Sequence, residues 1–232
     1  MRAAAVAETG AGVPPADAKV PSTNGTGMKM ALCFGALVAI WMTLFFVRPE
    51  PLDRMALEAV YAGQIPHIKF LARQVGHIGA PEAVFMLTVC AGAYLALQGR
   101  FWRAPVPFVA TVFAHATAAL QRDAVGRPRP DGLAGLPDLN APSFPPTRVV
   151  DPMTAYLLVA LLLTNGGTGR NGRLIIAAAV LIGGSNGIVR VVLGHHWPSD
   201  ALAGWTYGAA VAIAFYWLST YLPARETKPL VD

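Results

Sequence analysis

The chain has 232 residues, of which 54% are apolar and only 13% are charged. A soluble surface needs about a quarter of all residues to be charged, and the apolar residues lie in long blocks with a mean hydropathy of +0.47, which indicates an integral membrane protein. Collagen-like, disulfide-stabilised and wholly disordered chains are excluded. The net charge of +5 comes from basic residues scattered in short loops, so no nucleic-acid partner is predicted.

The N-terminal part of the chain predicts a tail, one span and a surface segment. Residues 1–27 lack apolar periodicity and are predicted to be a disordered cytoplasmic tail. The apolar block 28–47 lies far from the start and is followed by no small-residue cleavage site, so we expect a retained span and not a signal peptide. Segment 51–80 mixes apolar and charged residues in an amphipathic pattern, which is typical of a segment lying along the membrane surface.

Five further apolar blocks follow, and with the first they predict an all-α bundle of six transmembrane helices. They cover residues 83–98, 105–121, 152–165, 174–193 and 201–222. The membrane domain is therefore expected to span 28–222, with a second cytoplasmic tail over 223–232.

Arginines in two short connections predict the orientation. Residues 98–103 and 166–173 each carry two arginines and no acidic residue, and the positive-inside rule places both in the cytoplasm. Both termini are then cytoplasmic, in a plasma (inner) membrane. The extracytoplasmic side receives residues 48–82, 122–151 and 194–200.

Ionisable residues gather on that extracytoplasmic side, although such residues are costly near a membrane and usually mark a site. They are Arg122, Arg127 and Arg129 after the third span, and Arg190, His195, His196 and Asp200 around the connection between the last two spans.

The residues around His196 predict nucleophilic chemistry on a phosphate. Gly194 is suited to ending one helix and Pro198 to beginning the next, which places His196 near a helix N-terminus that favours an anion. Asp200 is predicted to accept a hydrogen bond from one imidazole nitrogen and leave the other nucleophilic. Nearby arginines are suited to binding phosphate oxygens and stabilising charge in an in-line displacement.

Two runs of residues carry a family resemblance. Arg122 and Arg129-Pro130 have the spacing of a Lys-x6-Arg-Pro motif with Arg in the Lys position, and Arg190, His196 and Asp200 have the spacing of Ser-Arg-x5-His-x3-Asp with Val189 in the Ser position. The sequence resembles the type-2 phosphatidic acid phosphatase superfamily of membrane lipid phosphatases, over roughly residues 28–222.

The second motif of that family, Pro-Ser-Gly-His after Ser-Phe, is divergent here. Ser143-Phe144 is followed by Pro145-Pro146-Thr147-Arg148. Arg148 thus replaces the histidine that serves the family as general acid, and Pro146 has no N–H where the family has Ser.

The resemblance implies a metal-independent enzyme without a cofactor. It implies His196 as nucleophile, Asp200 as its orienting partner, Arg122, Arg129 and Arg190 as the phosphate clamp, and Arg148 as a further phosphate contact. Asp123, Asp151, His195 and His115 are candidate substitute acids, although His115 is better interpreted as a packing residue, and Arg127 is expected to face lipid headgroups.

Arginine cannot act as a proton donor at useful pH, whereas a diphosphate has a leaving group that hardly needs a proton. We therefore expect a lipid phosphate or diphosphate phosphatase, with a polyprenyl diphosphate as one candidate substrate. Two alternatives remain open at this point: a phosphotransferase that uses a lipid or sugar acceptor, and a non-catalytic binder of lipid phosphates. Membrane lipids are the only other expected partners, and the sequence leaves the oligomeric state undetermined.

Overall fold

The computed structural model of the chain describes residues 24–133 and 141–221. Over these two ranges it consists of eight α-helices without a β-strand, so the predicted all-α class is confirmed. The helices are α1 (Asn24–Phe46), α2 (Glu50–Val60), α3 (Pro66–Ile78), α4 (Pro81–Leu97), α5 (Val106–Val125), α6 (Thr147–Leu163), α7 (Gly169–Val192) and α8 (Pro198–Tyr221).

α6 is the centre of the bundle. It contacts α4, α5, α7 and α8, and side chains all along it, such as Leu158 and Leu162, are buried. α8 approaches it closely because Gly208 has no side chain: a Cβ there would lie 2.7 Å from the Val150 carbonyl oxygen. The Thr154 hydroxyl donates a hydrogen bond to the Gly208 carbonyl at 3.1 Å, which joins the two helices further.

The outer surface of the bundle is apolar, as expected for a protein in contact with lipid. Large apolar side chains such as Leu120 and Leu181 are exposed there. By length and composition, four helical stretches in the described chain are able to cross a membrane, and the chain is an integral membrane protein. These stretches are Gly27–Phe46, Pro66–Leu97, Gly169–Val192 and Pro198–Tyr221.

The count of six spans is not confirmed by this measure. The predicted spans coincide with α1, α4, α5, α6, α7 and α8, but α6 has only 17 residues and the last turn of α5 contains Arg122 and Asp123. α1 begins at Asn24, before the predicted start at residue 28. The rest of the predicted N-terminal tail, residues 1–23, and the whole C-terminal tail 223–232 lie outside the described residues.

The predicted surface segment 51–80 is two helices, α2 and α3, and not one element. Pro66 begins α3, where its missing N–H costs no hydrogen bond. Backbone N–H of Ala62 donates to the Val192 carbonyl at 3.0 Å, and the Tyr156 hydroxyl donates to the Ile78 carbonyl at 3.1 Å. These bonds fix the α2–α3 connection and the C-terminal end of α3 to the bundle, and the location of the segment along the membrane surface remains a prediction.

Candidate active site

The site lies where two helix ends meet. α5 is followed by Gly126, whose φ of 60° is left-handed, and α7 is followed by Gly194 with φ of 70°. α8 begins at Pro198. The predicted roles of Gly194 and Pro198 as helix end and helix start are therefore confirmed, and the turns between these helices bring the two arginine- and histidine-bearing runs together.

A second connection closes the site from the side of α6. Ser143 N–H donates to the Arg127 carbonyl at 2.8 Å, and the Ser143 hydroxyl donates to the Pro128 carbonyl at 3.1 Å. Arg129 Nε donates to the Ala141 carbonyl at 2.6 Å. These bonds hold the chain that precedes α6 alongside the chain that follows α5.

The pocket that results has a volume of about 200 Å³ and no acidic residue in its lining. Five of the six residues expected from the sequence are brought together there, and Asp200 is the exception. The lining residues are Arg122, Arg129, Pro142, Pro145, Pro146, Thr147, Arg148, Arg190, His195 and His196.

His196 is held in one tautomer by the backbone. Its Nδ1 lies 2.8 Å from the Ser143 carbonyl oxygen, which only accepts, so Nδ1 carries the proton and Nε2 is the unprotonated nitrogen. Arg129 Nη1 lies 3.2 Å from that Nε2. Burial, and next the positive charge of Arg129, lower the pKa of His196 well below its ordinary value, so the imidazole is neutral at physiological pH.

Asp200 does not make the contact that the sequence predicts for it. Its Oδ2 lies 3.9 Å from His196 Nδ1, beyond hydrogen-bond distance, and accepts instead from the Trp197 backbone N–H at 3.1 Å. The Ser143 carbonyl therefore occupies the place expected for the carboxylate, and Asp200 lies fully buried behind the pocket.

Arg127 is buried, so its expected position facing lipid headgroups is wrong. Only 2% of its surface is exposed. Its Nη2 donates to Asp53 at 2.7 Å and its Nη1 to Asp200 at 2.6 Å, while Ser199 donates its backbone N–H to Asp53 at 2.8 Å. We call Asp53, Arg127, Ser199 and Asp200 the buried ionic network; it joins α2, the α5–α6 connection and α8.

The sequence gives little sign of this network. Arg127 stands between two arginines of the pocket, and Asp53 belongs to an amphipathic segment whose charges are expected on a surface. Nothing in the local pattern of either residue indicates a partner 74 residues away.

His195 and Arg190 form a pair at the edge of the pocket. Arg190 Nη1 donates to His195 Nδ1 at 2.9 Å, so the proton of His195 is on Nε2. Burial and the charge of Arg190 lower the pKa of His195 to about 4. The Nε of Arg190 is buried and has no hydrogen-bond partner within the described ranges, which leaves a donor available beside the pocket.

The remaining acid candidates lie outside the pocket lining. His115 Nδ1 is 2.8 Å from Asp151 Oδ2, and His115 is exposed on the bundle surface, so its interpretation as a packing residue is wrong. Asp123 is exposed and lies 3.4 Å from Arg122. Of the four candidate substitute acids, only His195 lines the pocket.

No group of three or more His, Cys, Asp or Glu side chains suited to a metal ion occurs in residues 24–133 and 141–221. The pocket instead offers guanidinium groups, which bind phosphate oxygens in a planar, two-pronged geometry. A neutral imidazole lies among them, and its unprotonated Nε2 accepts from Arg129 at 3.2 Å, an arrangement that is suited to a nucleophile for a phosphoryl group.

Comparisons with known proteins agree with this geometry. The model of the PAP2 superfamily matches residues 82–223. Among solved structures, the chain is similar to one described as the first transmembrane PAP2 type phosphatidylglycerolphosphate phosphatase from Bacillus subtilis, with 19% identity, a TM-score of 0.71, and coverage of 85% of this chain and 98% of that one. A search of curated proteins found no match. Because the family model covers more than half of its length, including every residue of the pocket, the chain belongs to the PAP2 superfamily.

Proposed function

We propose that the protein is a lipid phosphatase that acts through a phosphohistidine at His196 and prefers lipid diphosphates. The observation that carries the proposal is a neutral His196, fixed by the Ser143 carbonyl, in a pocket lined by four arginines. Membership of the superfamily supports the phosphatase activity. The diphosphate preference rests on Arg148.

In the first step His196 Nε2 attacks the terminal phosphorus. An N–P bond forms, the bond from phosphorus to the bridging oxygen breaks, and its electron pair leaves with the lipid monophosphate. Arg129 and Arg190 are positioned to bind the equatorial oxygens. The charge that develops on the imidazole is stabilised because its Nδ1–H already donates to the Ser143 carbonyl.

In the second step water attacks the phosphohistidine. The N–P bond breaks and the electron pair of that bond returns to Nε2, which restores the neutral imidazole. Inorganic phosphate then leaves. The first turn of α6 begins at Thr147 in the pocket wall, and the positive end of the helix dipole there favours a bound phosphate in both steps.

The diphosphate preference follows from the side chain at position 148. An alkoxide leaving group requires an acid that is worth roughly 10²–10⁴-fold in rate, and Arg148 cannot supply a proton. The leaving group of a diphosphate is a lipid monophosphate, which is a stable anion without protonation. The Arg148 guanidinium stabilises this anion further. Transfer to a lipid or sugar acceptor uses the same first step and differs only in what attacks the phosphohistidine.

The six-span arrangement, with both termini in the cytoplasm and the pocket on the extracytoplasmic side of the plasma membrane, belongs to this proposal. It is supported by the arginines in the connections 98–103 and 166–173.

The test is phosphate release by purified protein from lipid diphosphates and monophosphates of the same chain length. We expect diphosphates to be turned over with the higher kcat/KM, without loss in EDTA, and His196→Ala to abolish release. Full activity in His196→Ala would contradict the phosphohistidine. Equal turnover of monophosphates would contradict the preference, acceptor-dependent products would establish a transferase, and binding without turnover would establish a non-catalytic binder.

A further inference from the structure

A second cavity adjoins the pocket on the side of α3. Its volume is about 540 Å³, and it shares Arg148, Arg190 and His195 with the pocket of His196. The two spaces therefore adjoin at these three side chains. We call the second cavity the α3 cavity.

α3 lines this cavity with a row of basic residues. Lys69, Arg73 and His77 follow one another at intervals of four, which places them on one face of the helix, and all three line the cavity. Lys69 is close enough to His195 for its charge to contribute to the lowered pKa of that imidazole. The row of basic residues therefore extends towards His195, which lines both spaces.

The charge of the α3 cavity is unbalanced. Together with Arg148 and Arg190, Lys69 and Arg73 make four permanent cations, and no carboxylate lines the space. Within residues 24–133 and 141–221, neither Lys69 nor Arg73 belongs to an ion pair. Four cations in a lining without a carboxylate are suited to a multiply charged anion.

The floor of the cavity is apolar. Ala72 of α3 packs against Val189 and Leu193 at the end of α7, and these three residues also line the space. Gly76 completes the floor without a side chain. A cationic row beside an apolar floor fits an amphiphile whose anionic head continues into a hydrocarbon chain.

We propose that the α3 cavity is the leaving-group site, which binds the retained phosphate and first carbons of a lipid diphosphate while the terminal phosphoryl group lies at His196. The two phosphates of a diphosphate share one bridging oxygen, so they require adjoining sites with cations in common, as Arg148 and Arg190 provide. This inference rests on the proposed diphosphate substrate.

The site explains how the enzyme acts without the acid at position 148. When the bond to the bridging oxygen breaks, negative charge increases on the retained phosphate. Lys69 and Arg73 stabilise that charge in the transition state as well as binding the ground state, so they replace proton donation by charge neutralisation. Lys69 and Arg73 contact the leaving group electrostatically and form no covalent bond to it.

The test measures binding and turnover in an uncharged detergent, which removes bulk anionic lipid as a competing partner of the cations. Binding of a prenyl diphosphate, the matching monophosphate and inorganic pyrophosphate is measured on His196→Asn protein, where no turnover occurs. Lys69→Ala/Arg73→Ala is introduced in that background and in the wild type. Arg48→Ala is the control, because Arg48 is exposed and lines neither cavity.

We expect the double variant to weaken binding of the prenyl diphosphate about tenfold or more, and to lower the kcat/KM preference for diphosphate over monophosphate by at least as much. Arg48→Ala leaves both ligands unaffected. No loss of binding for either lipid, or equal losses of kcat/KM on diphosphate and monophosphate substrates, would overturn the site. Tighter binding of pyrophosphate than of the prenyl diphosphate would overturn the assignment of the α3 cavity to a lipid. If the double variant loses diphosphate binding but the wild type releases no phosphate, the proposed phosphatase activity is refuted and the proposed lipid site in the α3 cavity stands.

Discussion

At the scale of single residues, the state of His196 is set by the main chain. The Ser143 carbonyl fixes its tautomer, and the buried Asp200 serves the ionic network behind it. A carbonyl cannot take up a proton at physiological pH, so the orientation of the imidazole does not depend on the titration of a neighbouring acid. Protonation of His196 itself is then the step that removes the nucleophile.

We expect the His196 imidazole to stay neutral to a pH well below the ordinary imidazole range, because burial and Arg129 lower its pKa from the ordinary value near 6.5. The nucleophile is lost only when the pH falls through this lowered pKa. NMR of protein with labelled histidine, assigned with His196→Ala, measures the titration.

Arg129→Gln is the informative variant for this titration. It removes the positive charge next to Nε2, so the pKa of His196 should rise and protonation should begin at higher pH. A wild-type His196 that titrates near its ordinary pKa, or an Arg129→Gln imidazole that titrates no higher than the wild type, would disagree with the geometry.

The second prediction at this scale concerns Arg148→His, which restores an acid at the start of α6. We expect at least a tenfold gain in kcat on lipid monophosphates, within the roughly 10²–10⁴-fold range of general acid catalysis, and a loss on diphosphates because a guanidinium is removed. Steady-state kinetics on both substrates provide the measurement. A fall in kcat on both substrates would mean that Arg148 does not determine which leaving group the enzyme prefers.

At the scale of elements, two ion pairs join α2 to the α5–α6 connection in contrasting surroundings. Arg127 and Asp53 are buried, with 2% and 3% of their side chains exposed. Arg54 and Asp131 are paired at 3.0 Å, but 52% and 80% of their side chains are exposed. Water screens the second pair, whereas burial shields the first pair from bulk solvent.

Asp53→Asn should therefore destabilise the protein by about 1–3 kcal/mol, because Asp200 remains as the counter-charge of Arg127 while the amide leaves a buried donor of Arg127 or Ser199 without its acceptor. Asp131→Asn removes the exposed partner and should cost less than about 1 kcal/mol. Unfolding by heat or denaturant in one detergent compares the two. Similar losses for both variants would show that burial does not determine the strength of these pairs.

The helices were largely predictable from the sequence because their signals are local. The apolar blocks coincide with helices, and Gly194 and Pro198 mark a helix end and a helix start as expected. Motif spacing predicted which residues lie together, since Arg129, Arg190 and His196 line one pocket, and their catalytic roles stay predictions. The Ser143 contact and the buried ionic network were not predictable, since they join residues 53 and 74 positions apart.

At the scale of the whole molecule, the number of spans decides on which side of the membrane the pocket opens. Six spans place residue 131 on the other side of the membrane from residues 98 and 168. If α5 and α6 do not cross, the whole stretch from 98 to 168 lies on one side.

Cysteine labelling distinguishes these arrangements. In a Cys33→Ala/Cys90→Ala background, which removes both native thiols, we expect Asp131→Cys to react with an impermeant maleimide on intact cells. Gln98→Cys and Thr168→Cys should react only after permeabilisation. Equal reactivity of all three would rule out the six-span arrangement.

The central position of α6 also has a consequence for biogenesis. The ribosome makes α6 before α7 and α8, so the surface that α8 later covers has no protein partner when it first emerges. The Thr154 hydroxyl, for example, meets the Gly208 carbonyl only after 54 further residues have been added. The last helix to be synthesised thus completes the enclosure of the innermost one, and a chain that stops after α7 has all of its earlier helices but an uncovered centre.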